Sequence, residues 1–279
     1  MPDLSDDMLI FSDLDGSLLD HDTYAWQPAE LWLQRLKHHN IPVIITTSKT
    51  VSEVTKIRRD LGLDHCPFIT ENGASVELPE SWYKHTDYPY KRFSSDYVEI
   101  CALLERLRIE NHFSFDSFST LTDSEVAILT GLPLSQAKHA RQRQASEPLI
   151  WLDDSDALER FITQLEHHGL ALTQGGRFYH VMGKGVSKGS AAIWLRKQYQ
   201  QVTRAPLVTI SLGDGPNDIS LLRSTDYAVV IKSKRQQHID LGDSYTGKAY
   251  FTHETGPAGW SEGLSHFLSS NNKREVCDE

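Results

Sequence analysis

An α/β fold, in which a parallel sheet with helices on both faces is interrupted by a second α+β unit, is what this sequence predicts. Three observations carry the expectation. Short apolar runs, Met8-Leu9-Ile10-Phe11, Val43-Ile44-Ile45 and Leu207-Val208-Thr209-Ile210-Ser211-Leu212, alternate with helical stretches, the pattern of βαβ units. Each run ends in chemically capable residues: Asp13-Leu14-Asp15-Gly16, then Thr46-Thr47-Ser48-Lys49-Thr50, then Gly213-Asp214-Gly215-Pro216-Asn217-Asp218. From Tyr83 to Val186 the pattern changes to polar helices and aromatic-rich short strands, after which the first pattern resumes.

The elements follow in order. Met8–Phe11 suits a central strand, and Gly16 permits a sharp turn after it. Pro28 suits a first helical turn, Leu31, Trp32, Leu33 and Leu36 carry the helix, and Asn40 ends it; His38 and His39 form its exposed end. The second strand is Ile41–Thr47, followed by a helix reaching Leu61. Cys66–Ala74 reads as a third strand and turn, and Ser75–Pro79 as an antiparallel extension. In the middle unit, helices are expected over Asp96–Glu110, Ser124–Leu129, Ser135–Ala145 and Asp156–His168. Leu149–Leu152 and Leu170–Thr173 are expected strands, and Gly175-Gly176 turns the chain into Arg177–Met182. Lys188–Gly189 then opens a helix through Ala191, Ala192, Trp194 and Leu195. Strands are predicted at Leu207–Leu212, Tyr227–Ile231 and Ala249–Phe251, and a last helix at Gly259–Leu268; Ser269–Glu279 reads as a polar tail. Trp26, Trp82, Trp151 and Trp194 are assigned to core packing.

Composition narrows the function classes. The 279 residues suit about two domains. A formal charge of −10 with no basic run argues against nucleic acid and anionic membrane surfaces as partners. Cys66, Cys101 and Cys277 are widely separated and odd in number, so neither a disulfide framework nor a zinc site is expected. The acidic N-terminus and the lack of a long apolar run predict neither export nor insertion, and a reducing cytoplasm fits best.

Asp13 and Asp15 are two apart on a strand end, so both carboxylates can face one site while Leu14 packs away. Ligands of open α/β sheets bind outside the carboxyl ends of the strands, and adjacent carboxylates there call for a cation or a shared proton. A magnesium site, an acid/base pair and a solvated turn all remain open at this point. Thr47, Ser48 and Thr50 read either as helix N-caps or as phosphate ligands at a helix N-terminus. Asp214 and Asp218, four apart across a helix start, can share a face.

Taken together, Asp13-Leu-Asp15-Gly16-Ser17, Thr47-Ser48-Lys49, Lys188-Gly189 and Gly213-Asp214-Gly215-Pro216-Asn217-Asp218 resemble the four motifs of the haloacid dehalogenase (HAD) phosphatase superfamily. Ser17 stands where the superfamily usually has Thr. The long interval between the second and third motifs resembles the branch with an α+β cap inserted there. The resemblance implies a Rossmann-like HAD core over residues 1–83 and 187–279 with a cap over 84–186. Local signatures are similar to the mannosyl-3-phosphoglycerate phosphatases: Thr47-Ser-Lys-Thr50 in place of Thr-Gly-Arg, Thr130-Gly-Leu132, Ser146-Glu-Pro148, Gly176-Arg-Phe-Tyr-His180 and Gly256-Pro-Ala-Gly-Trp260.

What the resemblance implies is a Mg²⁺-dependent phosphatase acting on a small phosphorylated glycosyl-glycerate, whose product would serve as a compatible solute. Asp13 would be the nucleophile and Asp15 the general acid/base. Asp13, Asp15 through its backbone carbonyl, and Asp214 would ligate Mg²⁺, with Asn217 and Asp218 in support. Thr47, Ser48 and Lys188 would hold the phosphoryl oxygens, and Arg177 and His180 would contact substrate from the cap. A phosphosugar mutase, a general sugar-phosphate phosphatase and a non-catalytic phospho-ligand sensor are the rival readings.

Overall fold

The structure, a computed structural model, describes residues 1–175, 178–203, 206–234 and 239–268. In chain order the elements are β1 Met8–Ser12, α1 Glu30–His38, β2 Val43–Thr46, α2 Val51–Asp60, β3 Phe68–Thr70, β4 Ser75–Glu77, β5 Tyr90–Arg92, α3 Tyr97–Asn111, β6 Phe115–Ser117, α4 Asp123–Thr130, α5 Leu134–Ala140 and β7 Glu147–Trp151. Then come α6 Ser155–His167, β8 Leu170–Gly175, β9 Phe178–Gly183, α7 Lys188–Thr203, β10 Val208–Gly213, α8 Ile219–Leu222, β11 Tyr227–Lys232, β12 Lys248–Thr255 and α9 Gly256–Leu268. Among the described residues no helix is long and apolar enough to cross a membrane. The chain divides into two compact units, Met1–Thr47 with Ala192–Glu279, and Ser48–Ala191.

The first unit is the parallel α/β layer. Its strands run β12-β11-β10-β1-β2, every neighbouring pair parallel. All five residues of β1 are buried, as expected of a strand covered on both faces. The register is decisive for function. Ser12 pairs with Leu212 of β10 on one side and Ile45 of β2 on the other, so the residues just beyond all three strands leave the sheet at one edge. From β1 the chain proceeds through α1 to β2 on one flank while β10 lies on the opposite flank, which makes the end of β1 a topological switch point.

α9 seats against this sheet at close range. A Cβ at Gly263 would lie 2.2 Å from Val229 Cγ1, and one at Gly259 would lie 2.3 Å from the Glu254 carbonyl oxygen. Trp260 and Trp32 are the buried indoles of the unit. The four tryptophans assigned to the core from sequence are all only half-buried, because apolar residues around them do not mark which ones the close helix approaches would enclose.

The second unit holds two antiparallel arrangements. β3, β4 and β5 form a ribbon, and β6-β7-β9-β8 a four-stranded sheet. α3 and α6 contribute Ile100, Leu104, Leu107, Phe161 and Leu165 to a core shared with Phe115, Leu149 and Val181 of that sheet. Trp151 stacks on Phe115 with 6.1 Å between ring centroids. Three of the boundary differences from the sequence reading are the larger ones. α5 stops at Ala140 rather than Ala145, β12 extends to Thr255, and α9 starts at Gly256. The first difference has a clear cause: backbone N–H groups of Gln144 and Ala145 are drawn away to the Glu71 carboxylate at 2.8 and 3.1 Å. The very short strands β5 and β6 carry too few residues for a period to show. Cys66 is buried and Cys101 half-buried, neither in a disulfide; Cys277 lies outside the described residues.

Candidate active site

The first unit gathers carboxylates where β1 and β10 end. Asp13 follows β1, is 7% exposed, and donates its backbone N–H to the Leu212 carbonyl at 3.0 Å. The turn after it closes through Leu19 N–H to Leu14 C=O and Gly16 N–H to Leu19 C=O, both at 2.8 Å. Gly16 sits at φ +86°, and a Cβ there would lie 2.5 Å from Asp214 Oδ2. Glycine is thus required twice over, for the left-handed backbone and for the approach to the carboxylate. Asp15 is half-buried in the same turn, and Ser17 is fully buried, its hydroxyl without a hydrogen-bond partner among the described residues.

Asp214 follows β10, and Pro216 starts the single helical turn Pro216–Asp218. Asp218, 1% exposed, folds back so that its Oδ2 accepts from Asp214 N–H at 3.1 Å and Gly215 N–H at 3.0 Å. A Cβ at Gly213 would stand 2.5 Å from the Asp218 Cβ, so this glycine is what lets the loop close. Asn217 is half-buried in the turn. The outcome is a set of three carboxylates, Asp13, Asp214 and Asp218, whose ligand oxygens all lie within 4.8 Å of one another. Like charges at this spacing repel in a partly dehydrated setting, and hard oxygen donors are what Mg²⁺ prefers, so the donor set fits a divalent cation. Thr47, one residue past β2 at the same sheet edge, is fully buried.

Ser48, Lys188 and His180 belong to the second unit. Ser48 offers its carbonyl oxygen to Arg143 Nη1 at 3.2 Å. Lys188 is fully buried at the first position of α7, and the backbone just before it is pressed by Gly73: a Cβ there would lie 2.1 Å from the Ser187 carbonyl oxygen. His180, on β9, is 6% exposed, and its Nδ1 has no partner among the described residues. Burial, with the charges of Arg143 and Lys188 nearby, lowers its pKa to about 3, so the ring is neutral at ordinary pH. Arg177 lies outside the described residues.

One group escaped the sequence reading. Glu71 is completely buried, and its carboxylate accepts from Gln144 N–H, Ala145 N–H and Ser146 Oγ, the last at 2.8 Å, while Arg143 Nε stands 3.4 Å away. Its own N–H reaches the Lys49 carbonyl at 3.0 Å. Glu71, Asn72 and Gly73 all take positive φ, so a strained turn ties residues 48–49 and 143–146 together. The signal present in the sequence was the loss of apolar spacing after Ala140.

Comparison with known proteins gives the family and the fold. The family described as haloacid dehalogenase-like hydrolase matches residues 10–250. Among solved structures, the chain is similar to BT1666 from Bacteroides thetaiotaomicron, a phosphatase of the HAD superfamily, with a TM-score of 0.66 at 21% identity over 94% of this chain and 96% of that one. It is similar to the HAD subclass IIB sugar phosphatase BT4131, with a TM-score of 0.63 at 17% identity over 93% and 98%. The sucrose-phosphatase of Synechocystis sp. PCC6803, solved with sucrose and phosphate, superposes with a TM-score of 0.57 at 18% identity over 93% and 97%.

Proposed function

This chain belongs to the haloacid dehalogenase-like hydrolases, and from that premise we propose that it is a Mg²⁺-dependent phosphatase that hydrolyses mannosyl-3-phosphoglycerate or its glucosyl relative to the glycosylglycerate and phosphate. The observation that carries the phosphatase part of this reading is the Asp13, Asp214 and Asp218 cluster beyond the ends of the adjacent parallel strands β1 and β10; the glycosyl-glycerate substrate rests on the motif resemblance.

A phosphate monoester is an anion that repels nucleophiles, so its hydrolysis needs a fixed oxygen nucleophile and neutralised charge. Asp13 attacks phosphorus with one carboxylate oxygen; the bond to the leaving alkoxide breaks as Asp15 gives that oxygen a proton. Asp15 then takes a proton from water, which attacks the aspartyl-phosphate and returns the Asp13 carboxylate with inorganic phosphate. Asp13, the Asp15 carbonyl and Asp214 would hold Mg²⁺, supported by Asn217 and Asp218, and the cation supplies charge neutralisation for the transferring phosphoryl group. Thr47, Ser48 and Lys188 hold phosphoryl oxygens in this reading. The roles of Asp15, Thr47, Ser48 and Lys188 rest on the motif resemblance, as does the division into a core of 1–83 and 187–279 and a cap of 84–186.

Substrate choice is assigned to the cap. A glycerate carboxylate adds a second anion beside the phosphate, and Arg binds a carboxylate bidentately, which favours Arg177 as its anchor with His180 as a neutral companion. The sugar-phosphatase neighbours favour a broader second reading, a general sugar-phosphate phosphatase. A panel of phosphorylated sugars and glycosyl phosphoglycerates, read by phosphate release, separates the two. Preference for the glycosyl phosphoglycerates, with Arg177→Ala losing about 2–4 kcal/mol in kcat/KM on them and little on an aryl phosphate, supports the narrow reading. Equal rates across the panel select the broad one, and a rearranged sugar phosphate without free phosphate selects a mutase.

A further inference from the structure

The late segment Gly256-Pro-Ala-Gly-Trp260 has no part in the chemistry above, yet its indole connects directly to the strand that carries Asp13. Trp260 is fully buried and donates Nε1–H to Ser12 Oγ at 2.9 Å. Ser12, also fully buried, donates its hydroxyl to the Asp13 backbone carbonyl at 2.7 Å. A contact to the same carbonyl from Leu18 N–H is longer, at 3.4 Å. We propose that Trp260, acting through Ser12, is a positioning residue for Asp13. The inference rests on the phosphatase reading.

The direction of the relay follows from the chemistry of its members. An indole N–H only donates, whereas a serine hydroxyl has one proton and two acceptor sites. With Trp260 occupying an acceptor site, the single Ser12 proton is committed to the Asp13 carbonyl. That fixes the peptide plane at the residue whose side chain must meet phosphorus in line. The donor end is itself immobile. Gly259 and Gly263 bring α9 onto β11 and β12 without room for a Cβ. Trp32 Nε1 to Ser265 Oγ at 2.9 Å and Ser261 Oγ to the Pro28 carbonyl at 2.7 Å pin the same helix on its other side. A polar residue at the last position of β1, where its four predecessors are apolar, is explained by this use. Small errors in nucleophile placement are expensive in rate, and a buried relay of this kind removes them without touching substrate.

The test uses the full-length protein with Mg²⁺ and para-nitrophenyl phosphate, comparing Trp260→Phe, Ser12→Ala and the double variant with the parent at a temperature well below each variant's Tm. Trp260→Phe keeps the ring in the core and removes only the donor. The expected result is a fall in kcat of about ten-fold for each single variant, KM within about two-fold, and a double variant no slower than the slower single one, the coupling of residues acting as one unit. The pre-steady-state release of nitrophenol, which reports attack by Asp13, slows by the same factor. Parent-like kcat in folded Trp260→Phe, or losses that multiply in the double variant, overturns the relay; so does a fall confined to KM. Asp13→Asn run alongside separates the two levels. If it retains full turnover, the phosphatase reading has failed, and if it is inactive while Trp260→Phe matches the parent, only the relay has.

Discussion

Two of the places where this protein buries carboxylates make a contrast. In the second unit Glu71 is one acid surrounded by donors: two backbone N–H groups, a hydroxyl and the Arg143 guanidinium. In the first unit Asp13, Asp214 and Asp218 place three acids within 4.8 Å of one another. Folding alone accounts for Glu71, since a single buried charge is tolerable when it is paired and hydrogen-bonded. It does not account for a gathering of like charges at a sheet edge. The difference teaches how to read buried acid: a carboxylate ringed by donors from a distant loop holds that loop in place, whereas carboxylates gathered at a sheet edge, Asp218 among them even while it accepts from the Asp214 and Gly215 N–H groups, form a donor set that suits a divalent cation.

The largest expected effect comes from the acid assigned to the chemistry. Asp13→Asn keeps the shape of the side chain but offers phosphorus no competent oxygen nucleophile, so phosphate release should fall on the order of 10³-fold or more, about 4 kcal/mol in barrier height. Near-parental release from a folded preparation free of parent enzyme removes Asp13 from its role.

Glu71 comes next, and here the readout is stability. Glu71→Ala strands Arg143, 7% exposed, without its buried counter-charge, and should lower unfolding stability in urea by about 3–5 kcal/mol. Asp214→Ala removes one of the clustered acids, a half-buried one that accepts from Ser233 Oγ at 3.4 Å, and should lower the stability of the metal-free protein far less than Glu71→Ala does. Its loss should appear on titration instead: the parent gains about 2.7 kcal/mol at Mg²⁺ a hundred-fold above Kd, and the variant gains far less. If Asp214→Ala destabilises the metal-free protein as severely as Glu71→Ala, the two regions do not differ in kind.

The smallest effect sharpens the second region. His180 takes its proton near 6.5 in the unfolded chain and only near 3 when buried beside Arg143 and Lys188. Between those values the unfolded state holds the extra proton. The stability that neutral His180 contributes is therefore complete above pH 6.5 and is lost as pH falls toward 3, at up to about 1.4 kcal/mol per pH unit. Urea titrations between pH 6.5 and 5, above most carboxylate titrations, should show that slope in the parent and a flatter one in His180→Leu. An identical slope in both assigns the pH dependence to other groups.

The sequence by itself determined the parallel α/β order and the residues at its strand ends. Apolar runs such as Met8–Phe11 must be buried on both faces, which places Asp13 just past the strand end; Asp15 lies in the turn beyond it, where the side-chain period of a strand no longer applies. The turn Gly213–Asp218 was legible for the same reason, because Gly, Pro and Asp have local backbone preferences that act over a few residues. The tertiary structure alone decided the rest. Whether Asp214 meets Asp13 depends on the pairing of β1 with β10, strands about two hundred positions apart, and on a Gly16 approach that no local preference encodes. The end of α5 at Ala140 was set by Glu71, some seventy positions upstream, outbidding the helix for two N–H groups. The enclosure of Trp260 goes with the close seat of α9 on the sheet, where Gly259 and Gly263 meet Glu254 and Val229. In each case the competing partner is distant in sequence, and its energy is felt only once the chain has closed on itself.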